Sequence, residues 1–343
     1  MKTIKSYFVE AISAGASDLH LIAGEKPIIR VEGELKALEE KVLPDKELES
    51  AVFSLLSGGQ KQHFQEALEL DLGYEQSEVR FRLNLHQQEG KIGLAARVIP
   101  KDIPTPKDLR FEPALVDFTN LLDGLVLVVG PTGHGKSTTL AAMIEEINKT
   151  RKAHIITVED PIEFLFQDKE SLIEQREIGT DTKSFAEALK HVLRQDPNVI
   201  LVGEMRDPET IATALTAAET GHLVFSTLHT SSAAEAVERI VDVFEGPKQR
   251  QILIQLAAVL RGVVAQHLLP GKKGRVAARE ILINTPAVSN LIRENNIAQI
   301  PSTIQTGAKE GMVSMENALK ALLKEGLIDE ETAKKRMGRQ KRI

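Results

Sequence analysis

The sequence predicts an α/β protein, and three observations carry that prediction. Past residue 113, the apolar runs LVLVV, HIITV, NVILV and HLVFST alternate with helical stretches, the mark of a parallel sheet with crossover helices. The first run leads into GPTGHGKST, and Leu140, Met143, Ile144 and Ile147 then recur at helical spacing, so a Gly-rich turn joins a strand to a helix. Before residue 100, shorter β-type patterns mix with helices, which reads as a separate α+β domain.

Taken in order, KPIIRVEGEL and EVRFRLNLHQQEGKIGLAARV read as strands, the latter a hairpin turning at Gln88-Glu89-Gly90. Pro100, Pro104, Pro106 and Pro113 then crowd one segment. Proline fixes φ and donates no hydrogen bond, so residues 100–113 read as a semi-stiff linker. The expected domains are 1–99, the linker 100–113, an α/β core over 114–285 and a helical subdomain over 286–343. Between Gln251 and His267, the residues Ile252, Leu256, Leu260, Val263 and Val264 predict one continuous helix face. Met315, Ala318, Leu319, Leu322 and Leu323 predict another helix near the C-terminus.

Composition narrows the chemistry. The 343 residues contain no cysteine, which excludes disulfides, thiolate nucleophiles and cysteine-ligated zinc. The N-terminal apolar stretch is cut by Glu10, unlike a signal peptide, and no run reaches the ~20 apolar residues of a membrane helix. The expectation is a cytoplasmic protein with no direct membrane insertion. A net charge of −6 argues against a nucleic-acid partner, and the basic tail KKRMGRQKRI reads as solvated.

The segment Gly130, Pro131, Thr132, Gly133, His134, Gly135, Lys136, Ser137 matches G-x-x-x-x-G-K-[ST] in full, and Thr138 follows it. Its glycines let backbone N–H groups converge on phosphate oxygens beside a helix N-terminus. Lys136 is expected to reach the β- and γ-phosphates of ATP, and the Ser137 hydroxyl to ligate Mg²⁺. His134 sits at a variable position of the motif and is read as facing solvent. Glu204 emerges at the end of the run NVILV, placed to hold the magnesium shell, directly or through water, and to orient or deprotonate the attacking water. Glu159, Asp160 and Glu163 cluster after HIITV, where Pro161 ends the strand. His222 and His229 bracket the run LVFST as candidate phosphate sensors; a packed or exposed bystander histidine is the other reading.

GPTGHGKS, ITVEDPIEF, ILVGEMRD and GHLVFSTLHT together resemble, in order, the Walker A loop, Asp box, atypical Walker B and His box of the ATPases of type II secretion and type IV pili. SDLHLIAGEKPIIRVEGEL is similar to the start of that family's PAS-like N-terminal domain. PAVSNLIREN resembles the AIRNLIRE motif of the retraction branch, the PilT-like proteins, departing from it at Val288 and Ser289. A start close to the PAS-like domain and the absence of a tetracysteine element point to the same branch.

The resemblance implies a RecA-like P-loop core and a homohexamer that drives type IV pilus retraction from an inner-membrane platform protein. It implies that Arg82 and Arg97 reach a neighbour's phosphates, that Glu204 activates water with support from Glu163, and that His222 and His229 sense phosphate. Two arginines on a strand would otherwise read as a solvated sheet face. An extension or secretion ATPase of the same family stays open, as does a RecA-like DNA translocase or a non-hydrolysing regulatory ring. The chain's acidity and its lack of Trp speak against the DNA motor.

Overall fold

The computed structural model describes residues 2–31, 33–99, 102–272 and 274–340, with backbone alone for 338–340. Pro100 of the expected linker and the last three residues of the basic tail lie outside the described residues. The chain divides into two compact units, one formed by Met1–Asp102 with Pro161–Leu165 and the other by Ile103–Asp160 with Phe166–Ile343.

In the first unit, α1 (Ile4–Ser13) precedes β1 (Asp18–Ile22), β2 (Ile28–Val31) and β3 (Glu34–Ala37). After them come α2 (Asp45–Phe53), α3 (Gly58–Ala67), β4 (Glu69–Gln76), β5 (Val79–Gln88) and β6 (Lys91–Ile99). The strands form an antiparallel sheet in the order β3-β2-β1-β6-β5-β4. Period-2 alternation decides its faces. Phe81, Leu83 and Leu85 are fully buried against Phe8 and Tyr7 of α1, while the residues between them turn to the other face. Glu89 and Gly90 close the β5–β6 hairpin with positive φ, 50° and 72°, as a tight turn of this hand requires. Ladder partners place Arg30, Asp18, Arg97 and Arg82 in one cross-strand row on the polar face.

The second unit begins with α4 (Pro113–Thr119), β7 (Gly124–Val129), α5 (Lys136–Thr150), β8 (His154–Glu159) and β9 (Leu172–Glu177). It continues through α6 (Phe185–Val192), β10 (Val199–Val202), α7 (Pro208–Glu219), β11 (Leu223–Leu228) and α8 (Ala233–Asp242). Then follow α9 (Pro247–Val259), β12 (Leu260–Pro270), β13 (Arg275–Ile283), α10 (Pro286–Arg293), α11 (Ile300–Thr306), α12 (Met315–Lys324) and α13 (Glu330–Gln340). The sheet order is β13-β12-β7-β11-β10-β8-β9, parallel throughout except for the edge strand β13. Leu125, Leu127 and Val129 pack on one face with α6–α10; Val126 and Val128 pack on the other with α4 and α5. A sheet covered on both faces must be apolar on both, which is why its strands read as unbroken hydrophobic runs.

The helix expected from Gln251 to His267 ends at Val259, and Leu260–Pro270 is a strand. A short apolar run fits either period. Here the neighbours β7 and β13 decide it, because the segment is buried between them. A Cβ on Gly262 would come within 2.2 Å of the Phe118 ring, so glycine lets the strand lie against α4. The proline-rich stretch also differs from a linker standing alone: from Ile103 onward it belongs to the second unit, where Arg279 donates to the carbonyls of Leu109 and Arg110.

Candidate nucleotide site

In a parallel sheet, the loops after the strands gather at one edge, where helix N-termini also point. Val129 pairs with Leu228, and Val202 with Ser226 and Val158, so the C-terminal ends of β7, β11, β10 and β8 lie side by side. The segments that follow them, the Gly-rich loop, His229, Glu204 and Glu159, therefore emerge at this shared edge.

The loop Gly130–Gly135 leads directly into α5, whose first residue is Lys136. Gly133 and Gly135 have φ of 76° and 79°, values a side chain would strain. Gly130 has φ of 149°, and a Cβ there would lie 2.3 Å from the carbonyl oxygen of Gln266. Lys136 is only 9% exposed, and its ammonium donates to the carbonyls of Gly130 (2.7 Å) and Pro131 (3.2 Å). The lysine is thus held across the concave side of its own loop. Ser137 and Thr138 occupy the first turn of α5.

Glu204 is placed by two hydroxyls of the next strand. Ser226 donates to the Val202 carbonyl at 2.7 Å and Thr227 to the Gly203 carbonyl at 2.6 Å, which fixes the backbone that carries the glutamate. The Glu204 carboxylate lies 2.7 Å from Arg206 Nε and 3.0 Å from His229 Nε2. Partial burial pushes its pKa up, but Arg206 and His229 together outweigh that and hold it below the usual glutamate value. The other nitrogen of His229, Nδ1, lies 3.3 Å from the Thr132 hydroxyl in the loop. A continuous polar chain thus runs from Thr132 through His229 and Glu204 to Arg206. Next to it, Thr230 buries a hydroxyl with no hydrogen-bond partner among the described residues.

His222 is not part of this chain. It stands at the other end of β11, where its carbonyl accepts from Gly124 N, the start of β7. Seven residue steps along β11 separate it from His229, about 23 Å at ~3.3 Å per residue. Its ring contacts the Ala217 carbonyl and the Thr220 hydroxyl, so in its own chain it cannot meet a phosphate held by residues 130–138. The solvent-facing position expected for His134 is corrected as well: Nδ1 accepts from Leu268 N at 3.0 Å, and the ring packs edge-on against His267.

Glu163 belongs to the first unit and pairs with Arg82 at 3.7 Å, where the sequence grouped it with Glu204. Arg97 opposes Arg82 in the β5–β6 ladder, and its Nε donates to Asp18 at 2.9 Å. The Asp18 carboxylate stands between Arg30 and Arg97 in the row and pairs with both, at 3.7 Å and 2.9 Å. Sequence reasoning missed Arg206, Gln266 and Arg279. For Gln266 a signal existed: it is a single amide inside an apolar run, but reading that run as a helix pointed it elsewhere.

Among the described residues, no cluster of three His, Cys, Asp or Glu could hold a metal, and no helix is long and apolar enough to cross a membrane. A divalent ion here would therefore rely on Ser137 and Glu204 together with ligand oxygens.

The profile of the family described as type II/IV secretion system protein matches residues 106–271. The type IV pilus retraction ATPase PilT of Pseudomonas aeruginosa is 47% identical over 326 residues, 94% of each chain. A twitching motility protein of Neisseria gonorrhoeae is 48% identical over 313 residues, 90% of this chain and 84% of its own. The crystal structure of the pilus retraction motor PilT with bound ADP superposes with a TM-score of 0.89 at 45% identity, covering 97% of this chain and 96% of the other. Identity of this level across both units means that the chain belongs to the type II/IV secretion ATPase family.

Proposed function

We propose that this ATPase drives type IV pilus retraction, using ATP hydrolysis to withdraw subunits from the base of the filament. The observation that carries the catalytic part is the Thr132–His229–Glu204 chain, which joins the phosphate loop to an ionised carboxylate. In this reading, the loop residues Gly130–Thr138 hold the phosphates and Lys136 offsets the charge that develops in transfer. Ser137 and Glu204 would hold Mg²⁺, the latter directly or through water, and the ion would neutralise the β- and γ-phosphate oxygens. Glu204 has a depressed pKa and so is a weak proton acceptor, which suits orienting the attacking water more than deprotonating it. His229 follows the γ-phosphate through Thr132 and reports its departure to Glu204.

The first unit is read as PAS-like and the second as RecA-like, working as a homohexamer. Arg82 and Arg97, adjacent in one cross-strand row and accompanied by Glu163, would complete a neighbour's site, so turnover would require assembly. The partner would be an inner-membrane platform protein at the pilus base, met from the cytoplasmic side.

The test is to count surface pili and measure surface motility in cells whose only copy carries Glu204→Gln. Abundant pili with motility lost is the expected result. Bald cells would assign the motor to filament assembly instead, and unchanged piliation would remove the pilus reading.

A further inference from the structure

One buried glutamine meets the phosphate loop at three places and the helix after it at a fourth. Gln266 is 2% exposed and follows Ala265, the ladder partner of Val129 at the end of β7. Its backbone oxygen abuts Gly130, where a Cβ would approach to 2.3 Å. Its side-chain Nε2 donates to the His134 carbonyl at 2.8 Å and would lie 3.1 Å from a Cβ on Gly135. Oε1 accepts from the Thr139 hydroxyl in the first turn of α5, also at 2.8 Å.

The same oxygen takes a second bond, from Arg279 Nε at 2.8 Å, which fills both acceptor positions of the amide. Arg279 is the direct ladder partner of Gln266 in β12–β13 and is 1% exposed. Its other donors leave the loop altogether. They reach the Leu109 carbonyl (3.0 Å), the Arg110 carbonyl (3.4 Å) and the Glu112 carboxylate (3.2 Å), and the guanidinium carbon lies 5.3 Å from the centre of the Phe111 ring. Leu109–Glu112 belong to the stretch by which the chain enters the second unit after Asp102. A guanidinium buried this deeply is a poor stability device, because apolar residues of similar volume commonly hold strands as well. Its planar fork does provide fixed geometry between two segments distant in sequence.

We propose that Gln266 and Arg279 are positioning residues for ATP hydrolysis, linking the phosphate loop to the 109–112 segment. A shift of that segment moves the guanidinium, the guanidinium turns the amide, and the amide displaces His134 and Thr139 on either side of Lys136. The inference rests on the reading of residues 130–138 as the phosphate site.

The test is a double-mutant cycle on the full chain, with the Kd for a fluorescent ATP analogue, kcat and the thermal midpoint measured separately. Glu112→Gln alters a residue that bonds to Arg279 and to none of the loop residues named above. It is expected to change Kd or kcat about fivefold or more, the scale of a coupling between sites, and Glu112→Asp is expected to restore part of that change. In a Gln266→Met background, the same Glu112→Gln change is expected to have less than a twofold effect, because the link is already cut. Should Gln266→Met fail to fold, Thr139→Val takes its place in the cycle. Equal effects of Glu112→Gln in both backgrounds would overturn the proposal. So would a lowered midpoint with Kd and kcat unchanged, since that is the signature of a merely structural contact. Lys136→Ala serves as a separate control: wild-type analogue binding in that variant would remove the phosphate-site reading itself, whatever the cycle shows.

Discussion

His229 Nε2 lies 3.0 Å from Glu204 Oε1, and the opposite ring nitrogen faces the Thr132 hydroxyl at 3.3 Å. The imidazole therefore bridges the phosphate loop and the carboxylate that emerges two strands away. An imidazole uses one nitrogen as donor and the other as acceptor when neutral, so a change at Thr132 alters what Glu204 receives.

Glu204→Gln keeps the shape and removes the charge. Nucleotide affinity is expected to stay within a few-fold of the parent while kcat falls about 10²- to 10⁴-fold, measured by phosphate release alongside equilibrium binding. Because Arg206 and His229 hold the carboxyl below its ordinary pKa, the acid limb of kcat due to Glu204 is expected below the usual glutamate range. An acid limb near pH 6 that disappears in Glu204→Gln would contradict this.

The two histidines are expected to separate cleanly. His229→Ala removes the bridge between Thr132 and Glu204 and is expected to lower kcat at least tenfold. His222→Ala, at the far end of β11, is expected to leave turnover per chain within about twofold while costing about 1 kcal/mol of stability through the lost ring hydrogen bonds. Equal kcat losses in the two variants would mean that His222 reaches a site the single chain does not explain.

Gly130→Ala adds one methyl group where none fits. At φ 149° the residue is strained, and the new Cβ would press on the Gln266 carbonyl. A loss of about 2 kcal/mol or more is expected in chemical denaturation, together with weakened ATP binding. Binding and stability like the parent's would show that β12 yields to the added methyl.

Arg97→Ala tests assembly. The Arg97 side chain is 70% exposed, so losing its contact with Asp18 is expected to change stability little. Analogue binding is expected to survive and turnover to fall by about 10³-fold or more, with partial recovery when the variant is mixed with chains that supply an intact arginine. Turnover at the parent's level would remove the trans-arginine reading.

His267 connects pH to stability. Burial, with help from Arg336 and His134, lowers its pKa to about 4, against an ordinary value near 6.5. The folded state therefore favours neutral imidazole, so this stabilisation is complete above about pH 6.5 and is lost as pH falls towards 4. The shift corresponds to about 3 kcal/mol, read as a falling thermal midpoint over that window. His267→Gln is expected to flatten the fall; an unchanged profile would place the acid sensitivity elsewhere.

The sequence alone determined what is written contiguously. Strand, Gly-rich turn and helix follow one another within about two dozen residues around GPTGHGKST, and sterics and hydrogen bonding act locally there. For the same reason, Glu204 could be named as an acid at a strand end, and the hairpin at Glu89-Gly90 could be located. What required the tertiary structure is everything set by neighbouring strands. Parallel pairing of β7, β10 and β11 put His229 with Glu204 and left His222 at the opposite edge, a choice invisible in a segment where both histidines flank the same run. The flanking strands β7 and β13 made Leu260–Pro270 a strand, although its apolar pattern suits a helix. That one switch brings Gln266 beside the phosphate loop and opposite Arg279. Burial between two ladders outweighs the weak local preference of a short run, and no pattern within the run itself records which partners it will have.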